Sequence, residues 1–199
     1  LHNYKGDIMK NTGLIILGVL ILAIIAIAGF FIGTYNKLQV MDENVTANWA
    51  QVENQLKRRN DLIPNLVNTV KGYAKHENEI FTNIANARAK LSGAMNTNDV
   101  KAVQQSTNEL NSALSRLLVV VENYPNLKAD KAFTGLQDEL AGTKNRLAVA
   151  RRDYNESVKT INTIIRTFPT SLVAAMSGVK SRDYFEITEQ EKHTPKVEF

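Results

Sequence analysis

The sequence predicts an all-α protein in which an N-terminal transmembrane helix continues into an elongated antiparallel bundle of three to four helices. Three observations lead to this prediction. One long uncharged apolar segment lies near the N-terminus, apolar residues recur every three or four positions after it, and apolar and polar residues nowhere alternate over a sustained stretch. Spacing of three and four is typical of helices that bury one face, whereas alternation would indicate strands.

The apolar segment extends from Leu14 to Ile32 and contains no charged side chain. As a helix it is about 28 Å long at about 1.5 Å per residue, close to the ~30 Å hydrocarbon core of a bilayer. Lys10 precedes it, and Tyr35 and Lys37 follow it, where interfacial residues are expected. We interpret 14–33 as a membrane span. A cleaved signal peptide is the alternative, because Ala26-Ile27-Ala28 has the small-x-small form of a cleavage site.

The charges that flank the span indicate its orientation only weakly. Lys5 and Lys10 lie in the N-terminal flank, residues 1–13, and Lys37 lies on the other side. Because basic residues favour the cytoplasmic side, this count favours a cytoplasmic N-terminus and an exported bundle.

Small residues define one face of the predicted span. Ala26, Gly29 and Gly33 are spaced three and four residues apart, so they share a helix face. Small side chains let two membrane helices approach closely, and we expect this face to mediate self-association. The alternative is that glycine and alanine are simply common in membrane helices.

The first helix after the span carries a heptad-like apolar stripe, as in a coiled coil. The stripe consists of Leu38, Met41, Val45, Trp49, Val52, Leu56, Ile63, Leu66, Val70 and Tyr73. No proline or polar linker follows Gly33, so we expect one continuous rod from the span into the bundle. Pro64 predicts a kink or a restart, with Asp61 as the cap of the restarted helix.

Three further helices are predicted over 77–91, 99–122 and 130–168, the last ending at Pro169, with Asn98 as the N-cap of the second of them. Their predicted buried faces are Ile80, Ile84, Ala87 and Leu91; Val100, Val103, Thr107, Leu110, Leu114, Leu117 and Val121; and Phe133, Leu136, Leu140, Leu147, Tyr154, Val158, Ile161, Ile165 and Phe168. A short helical turn is expected over 173–179. The bundle thus covers 34–185, and the polar tail 186–199 is expected to fray.

Composition excludes several kinds of chemistry. The chain has no cysteine, which excludes disulfides, thiolate metal sites and a thiol nucleophile. Its net charge of +4 is too small and dispersed to indicate nucleic-acid binding. His2, His76 and His193 are the three histidines, and no phosphate loop or nucleophile motif is present. We therefore predict no enzyme activity and no cofactor.

Charged residues on the predicted helices are candidates for interhelical ion pairs. We expect Arg58, Arg59, Arg151 and Arg152 to pair with Glu53, Asp61 and Asp153, and the Asp138-Glu139 pair to be solvated. If such pairs are buried, they determine register more than they add stability.

Four strings are more specific than the periodicity. They are LKRRNDLIPNLV at 56–67, NYPNLKA at 123–129, RRDYN at 151–155 and YFE at 184–186. With the N-terminal span, they make residues 13–186 resemble the LemA family of bacterial membrane proteins. The resemblance implies a single-pass protein with a helical bundle and no established enzyme activity. It also implies an N-terminus outside the cell, which opposes the charge count.

We therefore predict a non-enzymatic, single-pass scaffold or accessory protein of the bacterial inner membrane. Its expected partners are the lipid bilayer, further copies of itself and another membrane protein, with no nucleic acid and no small-molecule substrate. The candidate partner contacts are Lys57, Arg58, Arg59, Asp61, Asn65, Asn123, Tyr124, Asn126 and Lys128. The same strings also have a structural explanation, as a proline restart and a turn between helices. The alternative function is a transmembrane sensor whose bundle binds a ligand.

Overall fold

The computed structural model describes residues 3–97 and 99–186, which contain six helices and no strand. The helices are α1 (Asn3–Tyr73), α2 (Asn78–Met95), α3 (Val100–Val121), α4 (Pro125–Lys128), α5 (Lys131–Ile164) and α6 (Thr170–Ser177). The all-α prediction is thus confirmed, and α1 runs from the apolar segment into the predicted stripe without a break.

The chain forms two compact units. Among the described residues, the N-terminal unit contains 3–43 together with Thr160–Ser181, and the bundle unit contains Asn44–Lys159 together with 182–186. α1 and α5 each contribute a section to both units.

In the N-terminal unit, every side chain from Gly13 to Phe30 is exposed. This part of α1 is the one helical stretch among the described residues that is long and apolar enough to cross a membrane. Farther along, Leu38 is buried together with Val173 and Ala174 of α6. The partly buried side chains around this small core are Phe31, Ile164, Ile165 and Val179.

In the bundle unit, four helical sections pack antiparallel around one core. α1 contacts α2 where the Asn60 amide donates to Ser92, and α2 contacts α3 where Lys90 pairs with Glu109. α1 also contacts α5 where the rings of Trp49 and Tyr154 lie 5.1 Å apart. The fully buried large side chains of this core are Leu56, Ile63, Leu66, Ile84, Leu91, Leu110, Leu117, Leu127, Phe133 and Phe185.

The predicted stripes agree well with the observed burial. On α1, only Met41 and Tyr73 are not fully buried, and on α3 only Val100 is partly exposed. The predicted face of α2 omitted Phe81, which is buried, and Ile80 is only half-buried. The fit is good because helical periodicity places residues three and four apart on one face.

The predicted restart at Pro64 is wrong, since α1 continues through it to Tyr73. Proline cannot donate a hydrogen bond to the carbonyl four residues earlier, which belongs to Asn60. In the structure, Arg88 of α2 supplies the missing donor, with its Nε 3.1 Å from that carbonyl oxygen. Asp61 therefore lies exposed within a helix and does not cap one.

Two helix ends also differ from the prediction. α2 extends to Met95, beyond the predicted end at residue 91. α3 has Asp99 as its N-cap, whose carboxylate accepts from the backbone N–H groups of Lys101 at 2.9 Å and Ala102 at 3.1 Å. The predicted cap Asn98 lies outside the described residues, as does the tail after Glu186.

The last long helix ends earlier than predicted, and the short turn predicted over 173–179 is a helix of 8 residues that begins earlier. α5 ends at Ile164, and α6 begins at Thr170. The Thr170 hydroxyl donates to the Ile164 carbonyl at 2.7 Å, which satisfies one of the acceptors left at the end of α5. Phe168, predicted to be buried, is instead 77% exposed. A residue before proline disfavours helical backbone, so Phe168 itself is not favoured in a helix.

Candidate functional site

The small-residue face of the predicted span is open. A Cβ atom added at Gly29 or Gly33 would meet nothing within 4 Å, and Ala26 is exposed. None of the described residues therefore occupies this face, and a second helix has access to it.

The first candidate contact string lies on α1 in the bundle unit. Lys57 is exposed, and Arg58 donates to Glu139 of α5 at 2.6 Å, where Arg146 also binds at 3.2 Å. The Asp138-Glu139 pair was expected to be solvated: Asp138 is exposed, whereas the Glu139 side chain is 38% exposed and also binds the two arginines. Because these side chains are largely exposed, the ion pairs contribute little to stability.

The other predicted ion-pair residues have different roles. Arg152 pairs with its neighbour Asp153 on α5, at 3.1 Å. The Arg151 guanidinium lies 4.7 Å from the centre of the Phe185 ring and donates to the Glu186 carbonyl at 3.2 Å. The contacts of Arg151 hold the segment after α6 against α5.

The remaining candidate contacts are at the surface. Asp61 and Asn65 are exposed on α1, and Asn123 and Asn126 lie around α4. Tyr124 is half-buried, and Lys128 binds Glu122 at 2.5 Å. Leu127 in the same string is fully buried, so part of the NYPNLKA string is explained by packing.

A cavity of about 400 Å³ opens in the bundle unit between α1, α3 and α5. Its walls carry two cations, three side-chain amides and several leucines. The lining residues are Arg59, Leu66, Asn108, Asn111, Leu114, Ser115, Leu118, Gln137, Leu140, Ala141 and Lys144. The Asn111 Oδ1 atom is buried and has no hydrogen-bond partner among the described residues.

The chemistry of this cavity suits a small anionic molecule with an apolar part. Arg59 and Lys144 provide positive charge, and the Asn111 Oδ1 atom can accept a hydrogen bond from a donor on the same ligand. Leucine side chains such as Leu66 and Leu140 provide an apolar wall, as is usual in ligand sites. Of these lining residues, only Arg59 was predicted as a candidate partner contact, because a cavity between three helices has no sequence signature on any one of them.

An aromatic cluster connects α1, α5 and the segment after α6. Trp49 lies 5.1 Å from Tyr154 and 6.1 Å from Phe185, measured between ring centres. Asn155 donates to the Phe185 carbonyl and accepts from the Phe185 N–H, both at 2.9 Å. Burial raises the pKa of Tyr154 to about 12, and its hydroxyl donates to the Asp183 carbonyl at 2.8 Å. The sequence signal for this cluster was the YFE string.

The other shifted groups belong to surface hydrogen bonds. The Tyr73 hydroxyl donates to Asp130 at 2.8 Å, which raises the pKa of Tyr73 and lowers the pKa of Asp130. Similarly, Lys90 lowers the pKa of Glu109. His76 is exposed in the turn before α2, and no group of three His, Asp or Glu side chains is placed to hold a metal ion in residues 3–97 and 99–186.

The sequence is similar to one protein family and to several named proteins. The sequence profile described as the LemA family matches residues 48–199. The magnetosome protein MamQ 2 of Paramagnetospirillum magneticum is 25% identical over 189 residues, which cover 83% of this chain and 70% of the relative. MamQ of Magnetospirillum gryphiswaldense is 24% identical, covering 86% of this chain and 71% of the relative.

A further relative, which is not a magnetosome protein, is similar over a comparable share of the chain. Protein LemA of Metamycoplasma hominis is 26% identical over 163 residues, which cover 81% of this chain and 73% of that protein. Because the family profile matches well over half of the chain, the chain belongs to the LemA family.

Proposed function

We propose that this member of the LemA family is a single-pass membrane protein without enzyme activity, and that its bundle acts as a scaffold or accessory module at the bacterial inner membrane. The observation that carries this proposal is the change of surroundings along α1. From Gly13 to Phe30 every side chain is exposed, whereas from Val45 to Val70 an apolar stripe is buried in the bundle. One helix thus joins a segment suited to lipid to a folded module suited to protein contacts.

The open glycine face supports self-association in the bilayer. Membrane helices associate through close packing of small residues, because the hydrophobic effect does not drive association between helices that are already in lipid. Gly29 and Gly33 have no neighbour within 4 Å of an added Cβ atom. A second copy of α1 therefore has room to pack against this face.

The accessible polar surface supports docking of a protein partner. Lys57, Asp61 and Asn65 lie on one accessible part of α1, and Asn123 and Asn126 lie around α4. The magnetosome proteins named above support a role of this type, since their name refers to a cellular structure and not to a reaction.

Self-association is tested by the mass of the protein in nanodiscs or mild detergent. We expect the full-length chain to be a defined oligomer, and the Gly29→Leu/Gly33→Leu double variant to be monomeric. Ala28→Leu is the control, since it adds a leucine on a different side of the same exposed helix. An unchanged mass in the glycine variant, or an equal loss in the control, contradicts the proposal.

Docking is tested by photo-crosslinking in cells. A photoreactive amino acid at Asn65 or Asn126 is expected to capture one specific membrane protein. Val149, which is 50% exposed on α5 and outside both candidate strings, is the control position. Equal crosslinking at all three positions shows that neither string is a docking surface.

The count of basic residues beside the span supports an exported bundle. Because the chain has no cysteine, a single introduced thiol can report on which side of the membrane the bundle lies. A Val119→Cys variant places one thiol on an exposed position of α3. We expect an impermeant thiol reagent added to intact spheroplasts to label it. Labelling only after the cells are lysed places the bundle in the cytoplasm.

The cavity favours a second candidate function, a transmembrane sensor. α1 contributes Arg59 and Leu66 to the cavity wall, and the same helix contains the apolar segment. A ligand that moved α1 in the bundle would act directly on the helix that we place in the membrane. The expected ligand is a carboxylate with a short apolar chain, matched to the cations and leucines of the wall.

Thermal unfolding in the presence of carboxylates of increasing chain length tests the sensor. We expect a concentration-dependent rise in Tm that is lost in Lys144→Glu. Lys75→Glu, an exposed change of the same charge outside the cavity, is the control. If no carboxylate raises the Tm, or if both variants respond alike, the cavity does not bind this class of ligand.

A further inference from the structure

Helix α6 presents an apolar surface that none of the described residues covers. Leu172 is 60% exposed and Met176 is 76% exposed, and the two lie one helical turn apart on the same face. Phe168, just before the helix, is 77% exposed. The opposite side of α6 carries Val173 and Ala174, each 3% exposed. Large apolar side chains clustered at the surface indicate a binding face.

The position at which α6 packs on α1 indicates what the exposed apolar face of α6 contacts. α6 packs against Leu38, and Phe31 is part of the same cluster. Phe31 lies at the end of the apolar segment, and Leu38 lies about 9 Å beyond Ile32 at about 1.5 Å per residue. The headgroup layer of a bilayer is about 5–8 Å thick on each side of the hydrocarbon core. The contacts of α6 with α1 thus extend from the end of the hydrocarbon, at Phe31, to the outer edge of the headgroup layer, at Leu38.

The charges around α6 point to the same surroundings. The segment from Thr160 to Ser181 contains Arg166 and Lys180, both exposed, and no acidic residue. Tyr35 and Lys37 of α1 are exposed close to Leu38 and are typical of the headgroup region. Basic residues beside an apolar helix face are attracted to anionic lipids.

We infer that α6 is an interfacial helix whose exposed face, Phe168, Leu172 and Met176, inserts into the bilayer beside the end of the transmembrane section of α1. The partner of this face is the lipid surface itself, with Arg166 and Lys180 at the phosphate level. The inference rests on the proposed membrane span, and it adds a second contact with the same bilayer. Such a contact would hold the N-terminal unit at the membrane surface.

Fluorescence quenching in nanodiscs tests the contact of α6 with lipid. Since the chain has no cysteine, an introduced cysteine is the one thiol that the dye labels. The full-length variants Leu172→Cys and Met176→Cys are labelled with an environment-sensitive dye. Each disc holds one copy of the protein. The quenchers are lipids with a nitroxide near the top of the acyl chain or near its end. We expect a blue-shifted emission at both positions and stronger quenching by the nitroxide near the headgroup.

Two control positions make the result specific. Val119→Cys labels an apolar residue of α3 that is 70% exposed, and we expect no quenching there. Ile21→Cys labels the middle of the apolar segment, and we expect quenching by the deep nitroxide. If Ile21 is quenched while Leu172 and Met176 behave like Val119, the inference is overturned and the span stands. If Ile21 is also unquenched, the proposed membrane span fails as well.

Two further outcomes separate lipid from protein as the partner. A blue shift without quenching at Leu172 and Met176 means that protein covers the face, and this overturns the inference. In anionic bilayers, Arg166→Glu together with Lys180→Glu is expected to reduce the shallow quenching at Met176. Lys75→Glu, an exposed change outside the N-terminal unit, is expected to leave it unchanged. Equal quenching in both charge variants rejects the role of the two basic residues.

Discussion

The two sections of α1 have similar apolar side chains and opposite surroundings. Between Gly13 and Phe30 every side chain is exposed, including Leu22 at 68%. In the bundle section, Val52, Leu56 and Ile63 are each 0% exposed. The first section is apolar all round and needs lipid as its solvent, whereas the second needs only the other helices of the chain. The distribution of apolar residues around a helix therefore indicates its environment. Apolar residues on all sides indicate lipid, and a single apolar stripe indicates packing against other helices.

The difference has an energetic consequence. Full burial of a leucine contributes about 1.5–3 kcal/mol relative to exposure. For Leu56 the chain itself provides that burial, so the free energy of unfolding depends on it. For Leu22 none of the described residues provides it, so in the proposed span the bilayer provides it, and folding of the bundle does not depend on Leu22.

The largest expected effect comes from truncating one leucine in each section. Leu56→Ala is expected to lower the free energy of unfolding of the bundle by about 2–5 kcal/mol, because it leaves a cavity in a packed core. Leu22→Ala is expected to change it by less than about 0.5 kcal/mol. Urea unfolding in mild detergent, followed by circular dichroism, measures both. Equal losses would remove the distinction between the two sections.

The second expected effect concerns the hydrogen bond that Pro64 cannot donate to the Asn60 carbonyl. Arg88→Met removes the donor to the Asn60 carbonyl and is expected to cost about 1–3 kcal/mol, the penalty of an unpaired buried acceptor. In that background, Pro64→Ala restores a backbone N–H four residues from Asn60 and is expected to recover most of the loss. The two changes measured singly and together form a double-mutant cycle. Strict additivity would show that Arg88 does not compensate for the proline.

The burial of Tyr154 predicts a dependence of stability on pH. The pKa of Tyr154 is about 12 in the folded bundle, whereas the pKa of an unperturbed tyrosine is 10.0. A folded pKa above the unfolded value gives stability that is present below pH 10 and lost as the pH rises toward about 12. After a discount for partial exposure, we expect a loss of about 1–2 kcal/mol. Urea midpoints across this window should fall less steeply in Tyr154→Phe, and an unchanged slope contradicts the assignment.

The smallest expected effect lies at the rim of the bundle section. Arg58→Ala breaks the exposed ion pair with Glu139 and is expected to cost less than about 1 kcal/mol. Raising the salt concentration should remove most of that loss, because exposed charges are screened. Lys57→Ala is the control, an exposed basic residue one position away. A loss as large as that of Arg88→Met would mean that surface charge holds α1 in the bundle.

Periodicity predicted the buried stripes well and the connections between helices less well. Val103, Leu110 and Leu117 recur at helical spacing, so their shared face on α3 follows from the sequence. The end of α5 at Ile164 did not follow, because a stripe that reaches Phe168 resembles a helix that continues. For the candidate site, the sequence pointed to Arg59 but not to Lys144 or Asn111, since each lies on a different helix.

By itself, the sequence determined the helical class, the apolar segment and the face that each helix buries. These properties depend on residues close together in the chain, whose spacing is set by the 3.6-residue turn of the helix. Only the tertiary structure decided that α1 continues past Pro64, that α6 exposes Leu172 and Met176, and that a cavity opens beside Arg59. These depend on partners distant in sequence, such as Arg88 for Asn60, and the pattern of one helix carries no information about them.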